Sequence, residues 1–146
     1  MGQREDVLTS RTTATSDRIT IFRQGRGAPN RAPKVGPIVF NEIMYHPVFG
    51  GDEYLELLNL TGTPAPLYDP AAPTNTWKIS GGVDFVFPVG LTVPPRGKLL
   101  VVGTDPAVFR YKYAVTNSTA ILGPWTGTLD DGGETIALDK PDPPQT

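Results

Sequence analysis

The stretch "IVFNEIMYHPVFGGDEYLELLNL", residues 38–60, decides the fold. It holds the only histidine of the chain, His46, among Glu42, Asp52, Glu53 and Glu56. If the first half were helical, Glu42 and His46, four positions apart, would sit one turn from each other and could share a cation. The β-branched and aromatic neighbours and Pro47 oppose a helix. On a strand the two residues face one side but lie about 13 Å apart, four steps of about 3.3 Å, too far to hold one ion together. The stretch therefore reads as two strands, 38–45 and 53–60, joined by the turn-forming "HPVFGGD", with His46 a strand-end residue before a turn proline.

The same alternation of short apolar runs and turn signals continues outward. Strands are expected near 76–80 (TWKIS), 83–87 (VDFVF), 97–103 (GKLLVVG) and 134–139 (ETIALD), with a shorter one at 119–122 (TAIL). Between them lie "TGTPAP", "YDPAAPTN", "SGG", "PPRG" and "DDGG". One helix is expected, 105–114 (DPAVFRYKYA), with Asp105 as N-cap and Pro106 in the first helical position. Six or seven short strands at this spacing predict an all-β fold, an antiparallel β-sandwich or barrel. The alternation of Phe85 and Phe87 with Asp84 and Val86 places one face of that strand in the core.

Composition agrees with a strand-and-turn architecture. The chain has 146 residues, 38% of them hydrophobic, with 16 Gly and 16 Pro, and the length suits one domain plus an arm. It lacks cysteine, which excludes disulfides and thiolate–zinc chemistry. No apolar run reaches the roughly 18 residues of a membrane helix, and the first residues lack the apolar segment of a signal peptide.

Charge divides the chain. Residues 1–34 carry seven basic residues against Glu5, Asp6 and Asp17, a balance of +4, and residues 35–146 carry six basic and 12 acidic residues, a balance of −6. A basic arm precedes an acidic body. Residues 1–17 read as extended or disordered, 18–24 (RITIFRQ) as a strand without a domain, 25–37 as a Pro/Gly linker, 38–140 as the sandwich and 141–146 as a tail.

Several segments, taken in order, carry a family resemblance. They are Asn41-Glu42-Ile43, Glu53 to Asn59, Trp77, Phe87-Pro88, Pro95-Arg96-Gly97-Lys98-Leu99 and Gly133-Glu134-Thr135-Ile136-Ala137-Leu138. Their collinear arrangement over 38–140 resembles the lamin-tail domain as it occurs in bacterial proteins. The resemblance implies an immunoglobulin-like β-sandwich with an extended N-terminal arm, no catalytic machinery and an extracellular or cell-surface setting. This chain departs from the family pattern in a longer link between Leu67 and Trp77. It also stops soon after "TIALDKP", where a further strand usually closes a sheet, so a closing strand is expected to be missing.

No catalytic or cofactor constellation emerges. There is no Cys, and Ser10, Ser16, Ser80 and Ser118 lie in no nucleophile-elbow pattern, so the chain reads as a non-enzyme without cofactors. Calcium is the one ion the inventory admits, through Asp52-Glu53 and the Asp130-Asp131 turn, although no EF-hand spacing accompanies them. "NLT" (59–61) and "NST" (117–119) match the glycosylation acceptor pattern. Tyr54, Tyr111, Tyr113, Trp77 and Trp125 serve either as core or as a glycan-stacking face.

A missing closing strand, an orphan strand at 18–24 and a flexible linker together suggest strand donation. Ile19 and Ile21, or Phe22 in the other register, would fill a groove in a neighbouring copy, while Arg18, Arg23 and Arg26 meet the acidic body. Such head-to-tail contact builds an open chain or filament. Folding back onto its own sheet is the alternative for the arm, and phosphate binding by its basic residues is another. At the level of function, the competing reading is an accessory module of a larger secreted protein that binds a glycan, calcium or nucleic acid.

Overall fold

The computed structural model of the chain describes residues 7–10, 20–23 and 36–142. In chain order the elements are β1 (Val7–Ser10), β2 (Thr20–Arg23), β3 (Ile38–Met44), β4 (Tyr54–Asn59), β5 (Ala65–Pro66), β6 (Tyr68–Asp69) and β7 (Ala72–Thr76). They continue with β8 (Lys78–Gly81), β9 (Val83–Val86), β10 (Thr92–Val93), β11 (Lys98–Val102), α1 (Pro106–Lys112), β12 (Ala120–Leu122), β13 (Thr126–Gly127) and β14 (Ile136–Asp139).

Two four-stranded sheets form the body. The first has the order β12-β11-β4-β3 and the second β13-β9-β8-β14, while β5 with β10 and β6 with β7 make two short ladders. One apolar cluster joins the sheets: Ile38, Leu55, Leu57, Leu99 and Val101 from the first meet Ile79, Val83 and Leu138 from the second, with Trp77 and Phe87 buried among them. The fold is thus an all-β sandwich. Phe85 packs edge-on against Phe87, ring centroids 5.2 Å apart, as the alternation of that strand requires.

Period-two patterning sets the register. In β4, Leu55, Leu57 and Asn59 point into the core and Tyr54, Glu56 and Leu58 point outward. β3 lies antiparallel to it with Ile38 opposite Asn59, and a bulge between Phe40 and Glu42 leaves Asn41 without a partner residue. β11 breaks the alternation because it is covered on both faces: Leu99 and Val101 enter the main core, whereas Leu100 and Val102 pack with Phe109 of α1 and Ile121 of β12.

Burial on both faces is the mark of a parallel pair, and β11 does run parallel to β12. This one parallel pair stands within the otherwise antiparallel pairing of the described strands. Residues 103–119 supply the long crossover that parallel strands need, with α1 laid over the outer face of the first sheet. Asp105 caps α1 by accepting from the backbone N–H groups of Ala107 and Val108, and Pro106 opens the helix.

The groove expected beside a missing strand is not found among the described residues. Ile38, Leu55, Leu57, Val83, Val101 and Leu138 are all completely buried, with Trp125 and Leu129 closing the same cluster. β13, only two residues long, extends the second sheet against β9 from a "GPWTG" stretch that carries no strand pattern.

In the arm, Val7–Ser10 is extended and pairs with β2 in an antiparallel ladder, Leu8 opposite Phe22 and Thr9 opposite Ile21. Val7, Leu8 and Thr9 favour strand geometry, and a hairpin satisfies their backbone groups locally. Among the described strands, β2 pairs with β1 and with no strand of the body. Ile21, Phe22 and Arg23 lie in β2, whereas Arg18, Ile19 and Arg26 fall outside the described residues.

Candidate functional site

Four strands border the two sheets: β12 and β3 in the first, β13 and β14 in the second. A bordering strand leaves backbone N–H and C=O groups free to pair with another chain. β12 has three residues, β13 two and β14 four, but β3 has seven. The short edges are covered: Ile121 of β12 packs under α1, Leu122 of β12 and Ile136 of β14 pack half-buried against the main core, and Leu138 of β14 is completely buried. On β3, Ile43 stands opposite the fully buried Leu55, in core register, yet is 41% exposed. It lacks the neighbour a further strand would supply.

The outward face beside this edge is acidic. The register puts Glu42 of β3 directly opposite Glu56 of β4, an arrangement that repels unless each charge is met. Glu56 is met by Lys98 Nζ at 2.8 Å and accepts from Asn41 Nδ2 at 2.6 Å, which the bulge turns toward it. Glu42 accepts from the Tyr54 hydroxyl at 2.6 Å but forms no ion pair among the described residues. The bond to Glu42, followed by burial, pushes the Tyr54 hydroxyl up to about 12. Glu42 is therefore an exposed carboxylate at the sheet border whose charge has no cation beside it.

The other polar groups singled out in the sequence serve local architecture. His46 follows β3, and its Nδ1 lies 2.8 Å from Asp131 Oδ1, tying the β3–β4 loop to the β13–β14 loop across two exposed side chains. Asp52 is held by Lys112 Nζ at 2.6 Å and accepts from the Tyr113 hydroxyl at 3.1 Å. Lys112 also donates to the Gly50 carbonyl, and its ammonium is held above its ordinary value by the bond to Asp52. Glu53 accepts from the Leu129 backbone N–H at 3.0 Å, and Asp130 accepts from the Gly132 N–H at 2.7 Å.

Among the described residues no group of three or more His, Asp or Glu side chains is placed to hold a metal ion. The β3–β4 loop ends in a turn closed by Gly51 N–H on the Val48 carbonyl, with Gly50 at φ 78° in the third position, where a type II turn requires glycine. Phe49 occupies the apex, fully exposed.

The glycan-stacking set does not survive as a face, since Trp77 and Trp125 are buried. Tyr54 meets the Phe109 ring edge-on at 5.7 Å. Tyr111 and Tyr113 are exposed on and just after α1. The two acceptor triplets also part company. Asn59 is completely buried, while Asn117 is exposed in the turn before β12.

Two features escaped the sequence reading. The open β3 edge depends on the strand order, to which periodicity is blind; the Asn-Glu pair at the bulge was the available signal. Asn59 was legible as an acceptor triplet and as the end of a family-like strand, not as a buried hydrogen-bonding hub. The chain matches no family model, no curated protein and no solved structure.

Proposed function

We propose that the protein is a non-catalytic interaction module, a lamin-tail-like β-sandwich working at the cell surface or beyond it, that joins copies of itself head-to-tail through its basic arm. One observation carries the reading. Among the described residues the longest strand of the body, β3, borders a sheet with one side unpaired and with a carboxylate beside it, Glu42, that meets no cation, in a chain whose first 34 residues carry a balance of +4. A strand from another chain satisfies such an edge by main-chain hydrogen bonds. Because the central core residues are already completely buried, the addition extends a sheet and covers Ile43 instead of filling a groove. Donor and acceptor are different surfaces, so the contact repeats into open chains.

Light scattering coupled to size-exclusion chromatography tests the reading. The expected result is a mass that rises with concentration for the full chain and stays monomeric when residues 1–30 are removed. Among the described residues the core clusters lie within 38–138, so the truncated chain is expected to keep its fold. A monomer at every concentration, or association that persists without the arm, overturns the proposal. A shift only on adding RNA or DNA replaces it with the phosphate-binding alternative.

A further inference from the structure

We infer that the occupant of the β3 edge is the free side of β2 from a second copy, aligned antiparallel with Phe22 opposite Ile43 and Arg23 opposite Glu42. This inference rests on the self-association reading above and names its acceptor and register.

Three constraints select that arrangement. The first is the choice of edge. Of the four bordering strands, β3 alone leaves a large inward-register apolar side chain, Ile43, substantially exposed. On β14 Leu138 is buried and Ile136 half-buried against the core, on β12 the inward-register residues are the half-buried Leu122 and the small Ala120, and β13 is Thr126-Gly127.

Direction comes second. Side chains directly opposite each other share a face and interact, opposite charges favourably and like charges not. Antiparallel pairing that brings an apolar residue of β2 beside Ile43 sets the next residue of β2 against the preceding residue of β3. With Phe22 at Ile43, that next pair is Arg23 and Glu42, a cation against the carboxylate that lacks one. Parallel pairing from the same contact sets Ile21 against Glu42 and Arg23 against Met44, which satisfies neither. Sliding the antiparallel register by one residue puts Ile21 or Arg23 at Ile43 and loses the charge pair as well.

Length is the third constraint. In the sequence Gln24 follows Arg23 and Gly25 then begins the Pro/Gly segment, while the β3 edge loses its regular register at the bulged Asn41. On β3, Glu42 is thus the last position of the regular run before the bulge. β2 keeps β1 on its other side throughout, so the hairpin docks without opening. The interface is a short ladder, and its association is accordingly weak and concentration-dependent.

A charge-swap cycle on the full chain tests this. Glu42 and Ile43 are exposed, so Glu42→Arg and Ile43→Lys leave the body folded, which circular dichroism checks. Sedimentation equilibrium is expected to show association weakened at least about tenfold by Glu42→Arg, by Arg23→Glu and by Ile43→Lys, with Glu42→Arg and Arg23→Glu combined in one chain recovering most of the loss. Phe22→Asp serves as the arm control. If Phe22→Asp abolishes association while the β3 substitutions leave it intact, the arm docks elsewhere: the inference falls and the self-association reading stands. Weakening by both single charge changes without recovery in the combined chain overturns the register. No effect of Phe22→Asp overturns the reading itself, and the inference with it.

Discussion

Asn59 closes β4 in core register, completely buried, and its side chain works in every direction available to it. Its Nδ2 donates to the carbonyls of Thr63, Val93 and Pro94 at 2.8, 3.1 and 2.9 Å, and its Oδ1 accepts from the Thr61 N–H and hydroxyl. One amide thereby fastens the end of the first sheet to the turn at 61–63 and to β10. Asn59→Ala leaves several of these buried groups unbonded, so urea unfolding is expected to show a loss of about 1–3 kcal/mol. A change below about 0.5 kcal/mol would contradict the assignment. In a glycosylating secretory host the first acceptor triplet therefore stays bare, which peptide mass mapping checks.

Tyr54 yields a second prediction at the same scale. Its pKa is raised from the ordinary tyrosine value of 10.0 to about 12, first by the bond to Glu42. A raised folded pKa means that the bond contributes in full below about pH 10. The contribution is lost as pH climbs from there through about 12, because the unfolded chain releases its proton first. An absorbance titration at alkaline pH should show Tyr54 ionising after an ordinary tyrosine would, and Glu42→Gln should bring it back toward 10.0. Early ionisation of Tyr54 in the unaltered chain would show that the bond does not hold in solution.

At the scale of elements, β11 and α1 are one design. "KLLVV" reads as an apolar run without alternation, and such a run stays single-valued only when both faces are covered. α1 covers the outer one through Phe109, which sits among Leu100, Val102 and Ile121 and against the rings of Tyr54 and Tyr113. Thermal or urea unfolding should register Phe109→Ala as a loss of about 3–5 kcal/mol. Asp105→Ala, which removes the acceptor for two backbone N–H groups at the helix start, should cost about 1 kcal/mol. Equal effects from the two substitutions would mean that the helix is not a lid over β11. The cap, the opening proline and the apolar run were all legible, because each acts through neighbours in sequence. The parallel direction of β12 was not, since it depends on where residues 103–119 deliver the chain.

For the whole molecule, the separation of a basic arm from an acidic body predicts that association weakens with salt. Charges at an exposed interface are screened beyond about 8 Å at physiological ionic strength and beyond about 3 Å at 1 M. Raising sodium chloride from 50 mM to 500 mM should lower the apparent mass at fixed concentration. An increase would point to an apolar contact instead, with Phe49 at the loop apex the first side chain to replace.

The sequence by itself determined the all-strand class, the positions of β3, β4, β9 and β11, the capped start of α1 and the split of charge between arm and body. These are local quantities: side-chain period, turn chemistry and cap residues act over a few positions of chain. Only the tertiary structure decided the strand order that leaves β3 at a border, the bulge that turns Asn41 onto Glu56, the burial of Asn59 and the pairing of His46 with Asp131. Each of these joins segments far apart in the chain, and hydrogen bonding between strands obeys the same geometry whichever strands meet. Which ones meet is settled by packing the whole core at once.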